Sequence, residues 1–87
     1  MNLEVELLRL VSQLIMIQTR NLAYPVVPPD WINDIKDPTI RALKTATFLK
    51  QHLKKQRSTA DNDAMAYLYA NIRECAVNIA AERSRSH

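Results

Sequence analysis

Glycine is absent from the 87 residues of this chain, and its absence excludes a whole class of sites. Loops that cradle phosphates, such as the P-loop and the dinucleotide-binding loop, need backbone conformations that only glycine adopts readily. Tight two-residue hairpins between strands have the same requirement. We therefore expect helices joined by proline, asparagine and serine.

Cysteine occurs once, at Cys75, so no disulfide can form within the chain. A chain of this length buries only about 60 % of the surface that its unfolded form exposes, and its core alone is marginal. Because neither a disulfide nor an evident metal site can act as a staple, self-association or docking onto a partner is the expected supplement. A single thiol also fits a reducing compartment, and we expect a cytoplasmic protein.

Long apolar runs are missing as well. The longest uninterrupted run of Leu, Ile, Val, Met or Phe has four residues, Leu14 to Ile17, whereas a membrane-spanning helix needs about 20. Glu4 and Glu6 precede the first basic residue, Arg9, which is the wrong charge order for a secretory signal. We expect no spanning or secretory segment and no membrane partner.

Groups that could do chemistry are few and poorly placed. His52 lies among Lys and Arg and has no carboxylate or nucleophile at helical spacing, so it forms no catalytic pair. Cys75 lies on an apolar seam and is expected to be buried as a small hydrophobe. Asp61 and Asp63 lack the further ligands and the glycine of a calcium loop. We predict no enzymatic activity, no cofactor and no metal.

The first helix is predicted over residues 3–21. Its apolar side chains alternate steps of four and three, which is the heptad spacing of a helix seam. We assign this seam to self-association, and it comprises Leu3, Leu7, Leu10, Leu14 and Ile17. A second row, Leu8, Val11 and Ile15, predicts two neighbours, one from the same chain and one from a copy or a partner. The alternative is a monomeric bundle that encloses this helix.

A stiff connector is predicted over residues 22–29, since three of the four prolines lie there. Asp30 is expected to cap a short helical turn over residues 30–36. We expect Trp31, in this turn, to plug the end of the bundle, where a large ring buries the most area. The alternative is an exposed Trp31 at a ligand or partner interface.

The stretch from Thr39 to Ala60 is the most unusual part of the chain, because it has six Lys or Arg residues and no carboxylate. Asp37 as N-cap and Pro38 at the first position predict a helix over residues 38–57. The plain interpretation is a solvated face, but such a face normally interleaves Glu with Lys. The one-sided charge therefore points to an anionic partner surface or phosphate. The candidate contacts are Arg41, Lys44, Lys50, Lys54, Lys55 and Arg57.

The last helix is predicted over residues 61–83, with an apolar seam and a polar row. The row includes Tyr67, Asn71 and Asn78, which are uncharged and can both donate and accept hydrogen bonds. These three side chains are candidate contacts to a ligand, to a partner or to the basic helix. The alternative is that the row is the solvated side of the helix.

The expected architecture is all-α, with one domain over residues 1–87. Three main helices and one short turn form a small bundle, and the last two helices form an antiparallel hairpin. We predict a non-enzymatic binding protein, an adaptor, regulator or inhibitor of a kind that phages and mobile elements encode. It would self-associate as a dimer or larger assembly and engage a protein with an acidic surface. The alternative is a nucleic-acid-binding protein that contacts phosphates through the basic helix.

Small and apolar residues line the facing sides of the predicted hairpin. They are Ala42, Leu43, Ala46, Ala64, Leu68, Ile79 and Ala80. Over this half of the chain, the arrangement is distantly similar to the hairpin of phage proteins that sequester cyclic nucleotides. The resemblance implies a second alternative, an oligomer that captures a small phosphorylated ligand such as a cyclic nucleotide. The acidic pair and the Trp of that hairpin are missing after Leu68, so we assign the chain to no family.

Overall fold

The computed structural model describes residues 2–21, 27–52 and 59–85, which fold into a small all-α bundle without a strand in these ranges. The helices are α1 (Leu3–Asn21), α2 (Asp30–Asn33), α3 (Pro38–His52) and α4 (Thr59–Arg85). The predicted all-α fold class is confirmed. α1 has the predicted bounds, and α4 extends two residues further at each end. The predicted continuation of α3 to residue 57 and the predicted connector up to residue 26 lie outside the described residues.

Side chains just before the helices cap the first turns of α1 and α3. The Asn2 Oδ1 accepts hydrogen bonds from the backbone N–H groups of Glu4, at 3.0 Å, and Val5, at 3.3 Å. The Asp37 Oδ1 accepts the backbone N–H of Thr39 at 2.9 Å. Because the first N–H groups of a helix have no partner within it, such caps stabilise the start of the helix. The predicted capping role of Asp37 is confirmed.

α2 is a single turn that ends at Asn33, short of the predicted end at residue 36. The residue before it, Pro29, is extended, and no side chain caps the turn. Asp30 therefore lies inside the first turn, and the prediction that it caps the turn is wrong. The turn closes through a hydrogen bond of 2.9 Å from the Asp34 N–H to the Asp30 carbonyl.

Ion pairs at both ends of the bundle define the helix directions. Arg83, near the end of α4, contacts Glu4 at the start of α1 and Asp37 just before α3. At the opposite end, Arg20 of α1 pairs with Asp61 of α4 at 3.2 Å. α1 and α3 thus run parallel, and α4 runs antiparallel to both, as the predicted hairpin requires. A connection between parallel helices has to return along the bundle, and α2 lies on this connection, against α3.

α1 is the centre of the core. It packs along both α3 and α4, which touch each other only locally. Leu7 and Leu14 of α1 are fully buried, with Leu10, Val11 and Ile17 nearly so. The side chains that face them are Ala42, Ala46 and Leu49 of α3 and Met65, Leu68, Ile72, Cys75 and Ile79 of α4. Burial of these side chains is the main favourable contribution to the fold.

This packing uses the seam that the sequence assigned to self-association. Four of its members are buried in the core of their own chain, and Leu3 is half-buried against that core. The seam is therefore reassigned from a contact between copies to a contact within the chain, as in the enclosed-helix alternative. The second apolar face of α1 points outward, and its exposed fractions are 60 % for Val5, 45 % for Leu8, 40 % for Ile15 and 69 % for Met16. Self-association stays a prediction, and this outward face is the one available to it.

Arg83 joins the three main helices at one end of the bundle. Its guanidinium donates to the Asp37 carboxylate at 2.9 Å, to the Thr39 hydroxyl at 3.1 Å and to the Glu4 carboxylate at 3.3 Å. The hydrogen bond from Arg83 holds the pKa of Asp37 below its usual value. The starts of α1 and α3 are thereby tied to the end of α4.

Candidate anion-binding groove

Arg41, the first cation of the predicted basic strip, has a partner inside the fold. Its guanidinium donates a hydrogen bond of 3.1 Å to the backbone carbonyl of Ile35, and the side chain is half-buried. This contact joins the segment after α2 to the first turn of α3. Arg41 therefore has a contact within its own chain, and its assignment to partner binding stays a prediction.

Lys44 and Lys50 are both exposed on α3, but they point in different directions. They are six residues apart, which places them about 120° apart around a helix. Lys50 points towards α4, where its Nζ lies 5.6 Å from the centroid of the Tyr69 ring. This distance suits a cation–π contact. Among the described cations of the predicted strip, Lys50 is the one that lies beside α4.

The other three cations of the predicted strip, Lys54, Lys55 and Arg57, lie outside the described residues. Their assignment to partner binding stays a prediction. Lys54 and Arg57 follow Lys50 at helical spacing in the sequence.

A groove runs between α3 and α4 on the side that faces away from α1. Its first part, about 220 Å³, is lined by Leu43, Ala46, Thr47, Lys50, Tyr69, Ile72, Arg73 and Ala76. A second part, about 360 Å³, shares Lys50, Tyr69 and Arg73 with the first and continues along α4 past Asn62, Met65, Ala66 and Ala70. Two cations from different helices therefore lie together at the junction of the two parts.

No carboxylate is among the described residues that line this groove. Lys50 and Arg73 also have no ion-pair partner in the described part of the chain. The groove combines an apolar floor with two unpaired cations and one aromatic ring. Such a surface suits a ligand that carries both negative charge and apolar surface. Lys50 and Arg73 can contribute both charge and hydrogen-bond donors to a group bound between them.

Arg73 is the residue of this groove that the sequence interpretation missed. It is an isolated cation in the middle of α4, ten residues before the next one, Arg83, and nothing in the local pattern marks it. One signal was available, since Arg73 follows Tyr69 by four residues and so lies on the same helix face. An antiparallel hairpin brings that face against the later part of α3. The spacing of Tyr69 and Arg73 indicates a site only once α4 is known to pack beside the later part of α3.

Trp31 does not plug the end of the bundle. Its side chain is 60 % exposed, whereas the neighbouring Ile32 is 1 % exposed. A helix of one turn can direct few side chains inwards, and here Ile32 takes the buried position against α3. The expectation of a core Trp is wrong, and Trp31 is left available to a ligand or partner.

Tyr67, Asn71 and Asn78 lie on the α1 side of α4, away from the basic helix. Tyr67 is 68 % exposed beside Met16, at a groove between α1 and α4. Asn71 donates its side-chain amide to the backbone carbonyl of Tyr67 at 2.7 Å, within its own helix. Asn71 and Asn78 line a shallow cleft with Glu6 and other side chains. Of the alternatives for this row, pairing with the basic helix is wrong, and contact with a ligand or partner stays a prediction.

Cys75 is buried in the core, as expected. Its thiol donates to the backbone carbonyl of Leu3 with a sulfur–oxygen distance of 3.2 Å. Burial, helped by the charge of Glu6, raises the pKa of this thiol. A raised pKa disfavours the reactive thiolate at neutral pH. Within the described ranges, no three His, Cys, Asp or Glu side chains are grouped to hold a metal ion.

Comparison with known proteins adds no relative. No family model matches the chain, no curated protein matches it, and no solved structure resembles it closely enough to be a match. In the part of the chain that the structure describes, no helix combines the length and the apolarity needed to cross a bilayer. The function therefore has to be argued from the groove and the exposed surfaces themselves.

Proposed function

We propose that this chain is a non-enzymatic helical binding protein that docks an anionic surface of a protein partner in the groove between α3 and α4. The observation that carries the proposal is the convergence of Lys50 and Arg73 from two helices, with no carboxylate among the described residues around them. Complementary charge steers partners to such a site and excludes partners of the same sign. The adaptor, regulator or inhibitor role would follow from what this partner does.

The chemistry of the groove favours a protein over a phosphate. Most of its floor is apolar, from Leu43, Ala46, Ile72 and Ala76, and an apolar floor offers nothing to a phosphate. Phosphate sites are typically built on the unpaired N–H groups of a helix start, whereas the two cations of this groove lie in the middle of α4 and near the described end of α3. Capture of a small phosphorylated ligand is the least supported of the three functions.

Nucleic acid is the second candidate partner. The number of phosphates that the groove can contact distinguishes it from a protein partner. Two phosphate contacts would give a salt dependence with a slope of only about −1.8, since each contact on a duplex contributes about −0.9. Such binding is weak at physiological salt. Nucleic-acid binding would need the cations at Lys54, Lys55 and Arg57 to act together with Lys50.

Self-association is a further part of the proposal. The outward face of α1, defined by Val5, Leu8, Ile15 and Met16, leaves apolar side chains 40–69 % exposed on a chain whose own core is small. A contact between copies through this face would bury them. The cytoplasmic location expected from the single cysteine also belongs to the proposal.

The test for the groove compares binding of the purified chain to fluorescent poly-glutamate, to a DNA duplex and to single-stranded DNA, by anisotropy at low and moderate salt. The groove variant is Lys50→Glu with Arg73→Glu. The matched control is Lys44→Glu with Arg85→Glu, which makes the same charge change on the same two helices outside the groove. Circular dichroism checks that both variants keep the wild-type helix content.

We expect the groove variant to lose poly-glutamate binding and the control to keep most of it. Equal binding by the groove variant and the wild type would remove the groove from the proposal. Tighter binding to the duplex than to poly-glutamate, with a salt slope steeper than that of two contacts, would promote the nucleic-acid function.

Self-association is tested by light scattering behind size exclusion. Leu8→Glu should shift an oligomer to the monomer mass, because it places a charge in the outward face of α1. Val77→Glu is the matched control, since Val77 is 62 % exposed on α4. A wild-type chain that elutes as a monomer at every concentration would refute self-association.

A further inference from the structure

α1 packs along both α3 and α4, which approach each other only locally, so each of these two helices has one side that no described residue of α1 covers. The arrangement resembles a four-helix bundle with one corner open. Neighbouring helices in such bundles lie about 8–10 Å apart, and each has two neighbours. The remaining corner is the α3–α4 groove, which no described residue of α1 lines.

The lining residues follow the spacing that a helix needs in a partner. On α4 they recur at steps of three and four from Asn62 to Ala76, and on α3 from Leu43 to Lys50. At 1.5 Å per residue the α4 side spans about 21 Å and the described α3 side about 10 Å, so a helix of about 14 residues would contact α4 along its whole length and α3 along about half of it. Ala70 and Ala76 are small enough to let a facing helix approach closely. The groove thus has the length and the surface of a helix-docking site.

We infer that this corner receives an acidic amphipathic helix of another protein. The inference rests on the proposed function and names the partner of the same site. The apolar stripe of the incoming helix would lie on the accessible apolar lining residues, Leu43, Ala66, Ala70 and Ala76. Its carboxylates would flank that stripe and pair with Lys50 and Arg73, as in other complexes in which a helix lies in a groove.

The charges of the chain argue against a second copy as this fourth helix. The chain carries a net charge of +3. The exposed apolar face of α1 is flanked by Arg9 and Arg20 on one side and by one carboxylate, Glu4, on the other. Glu4 already contacts Arg83. The other carboxylate of α1, Glu6, pairs with Arg9, so a copy of α1 would offer Lys50 and Arg73 no unpaired carboxylate, and the complementary occupant is an acidic helix from a different protein.

The experiment lets the full-length chain choose its own partner helix. A display library of helical peptides about 14 residues long carries apolar residues at the seam positions and an equal mixture of Glu, Lys and Gln at the flanking positions. Peptides selected on the wild-type chain are synthesised, and their dissociation constants are measured for the wild type and for two variants. The variants are the groove pair, Lys50→Glu with Arg73→Glu, and the control pair, Lys44→Glu with Arg85→Glu.

We expect Glu to be enriched at the flanking positions of the selected peptides. Affinity should fall at least about tenfold in the groove pair, change little in the control pair, and return when the Glu residues of the peptide are exchanged for Lys. Ala76→Leu, which fills the groove without changing charge, should also weaken binding. If the groove pair fails to fold, Lys50→Gln with Arg73→Gln serves in its place.

Each contrary outcome has a distinct meaning. Enrichment of Lys or Gln, or no enrichment at all, overturns the acidic helix. Acidic peptides that bind at Lys50 and Arg73 but tolerate a central proline overturn the helical partner and leave the proposed function standing. Acidic peptides that bind the groove pair as tightly as the wild type overturn both. Competition by unlabelled wild-type chain would make a second copy the occupant.

Discussion

Two arginines of α4, ten residues apart in the sequence, have different surroundings. Arg83 bonds to Glu4 and Asp37 where three helices meet. Arg73 lines the groove beside Lys50, and neither cation has a carboxylate partner among the described residues. Charge by itself therefore does not mark a binding site in this chain. A cation whose partner lies inside the fold stabilises the fold, and one without such a partner is a candidate for binding something else.

The same contrast holds for the leucines of α1. Leu14 is fully buried in the core, while Leu8, on the outward face of the helix, is 45 % exposed. Both belong to apolar rows at helical spacing. A repeated apolar pattern therefore predicts a contact surface but not what covers it.

The largest expected effect separates the two leucines. Leu14→Ala should lower the free energy of unfolding by about 2–5 kcal/mol, because it leaves a cavity in the core. Leu8→Ala should lower it by less than about 1 kcal/mol in the monomer. Urea unfolding followed by circular dichroism, at a concentration low enough to keep the chain monomeric, gives both values. Equal losses of unfolding free energy in the two variants would contradict the assignment of Leu14 to the core and of Leu8 to the outward face.

The second prediction separates the two arginines by binding. Arg73→Gln should weaken binding of poly-glutamate about tenfold, or about 1.4 kcal/mol, because it removes one of two cations from the groove. Arg83→Gln should leave that affinity unchanged. Anisotropy titrations measure both. A loss of affinity in Arg83→Gln with its helix content intact would show that the end of the bundle, and not the groove, carries the binding.

The third prediction distinguishes Arg83 from Arg73 by the effect of each substitution on thermal stability. Arg83→Gln should lower the Tm, since it releases the starts of α1 and α3 from the end of α4. Arg73→Gln should leave the Tm nearly unchanged. Arg85→Gln is the matched control, because Arg85 pairs with Glu82 one turn away, at 3.5 Å, and with no other described carboxylate. A Tm for Arg83→Gln no lower than that of the control would mean that the three-helix junction contributes nothing.

The smallest effect is the dependence of stability on acid. Arg83 lowers the pKa of Asp37, so this contribution is complete above the unfolded pKa of about 3.9 and is lost as the pH falls through the lower folded pKa. Below about pH 4, the urea concentration at the midpoint of unfolding should therefore decrease, and it should decrease less in Arg83→Gln than in the wild type.

Glu6 provides the internal reference for this measurement. Arg9 lowers its pKa in the same direction, and Arg83→Gln leaves that pair in place. Some acid sensitivity should thus remain in the variant. Identical acid dependence in the variant and the wild type would show that Asp37 gains nothing from Arg83.

Much of the fold could be predicted from short-range signals. The heptad spacing from Leu3 to Ile17 gave α1 its bounds, and Asp37 before Pro38 gave α3 its start. Both signals act within one or two helical turns, so they do not depend on the rest of the chain. The turn at Trp31 was less predictable, because which of two adjacent large side chains points inwards depends on the surface beneath them.

The candidate site could be predicted only in part. Lys50 was visible in the sequence as one of six cations, and its neighbour Arg73 was not. Arg41 belonged to the same pattern, yet it bonds to the carbonyl of Ile35. These differences arise from contacts between residues far apart in the chain, for which local spacing has no signal.

The helices, their apolar faces and the concentration of positive charge in one stretch can be read from the sequence, since they depend on residue order, local backbone preferences and side-chain period. Which face of α1 is buried and which cations meet depends on how the helices pack. With two apolar faces on one helix, burial of one against α3 and α4 leaves the other outside. The same packing brings Lys50 and Arg73 together, because the antiparallel arrangement of α3 and α4 puts the end of one helix beside the middle of the other.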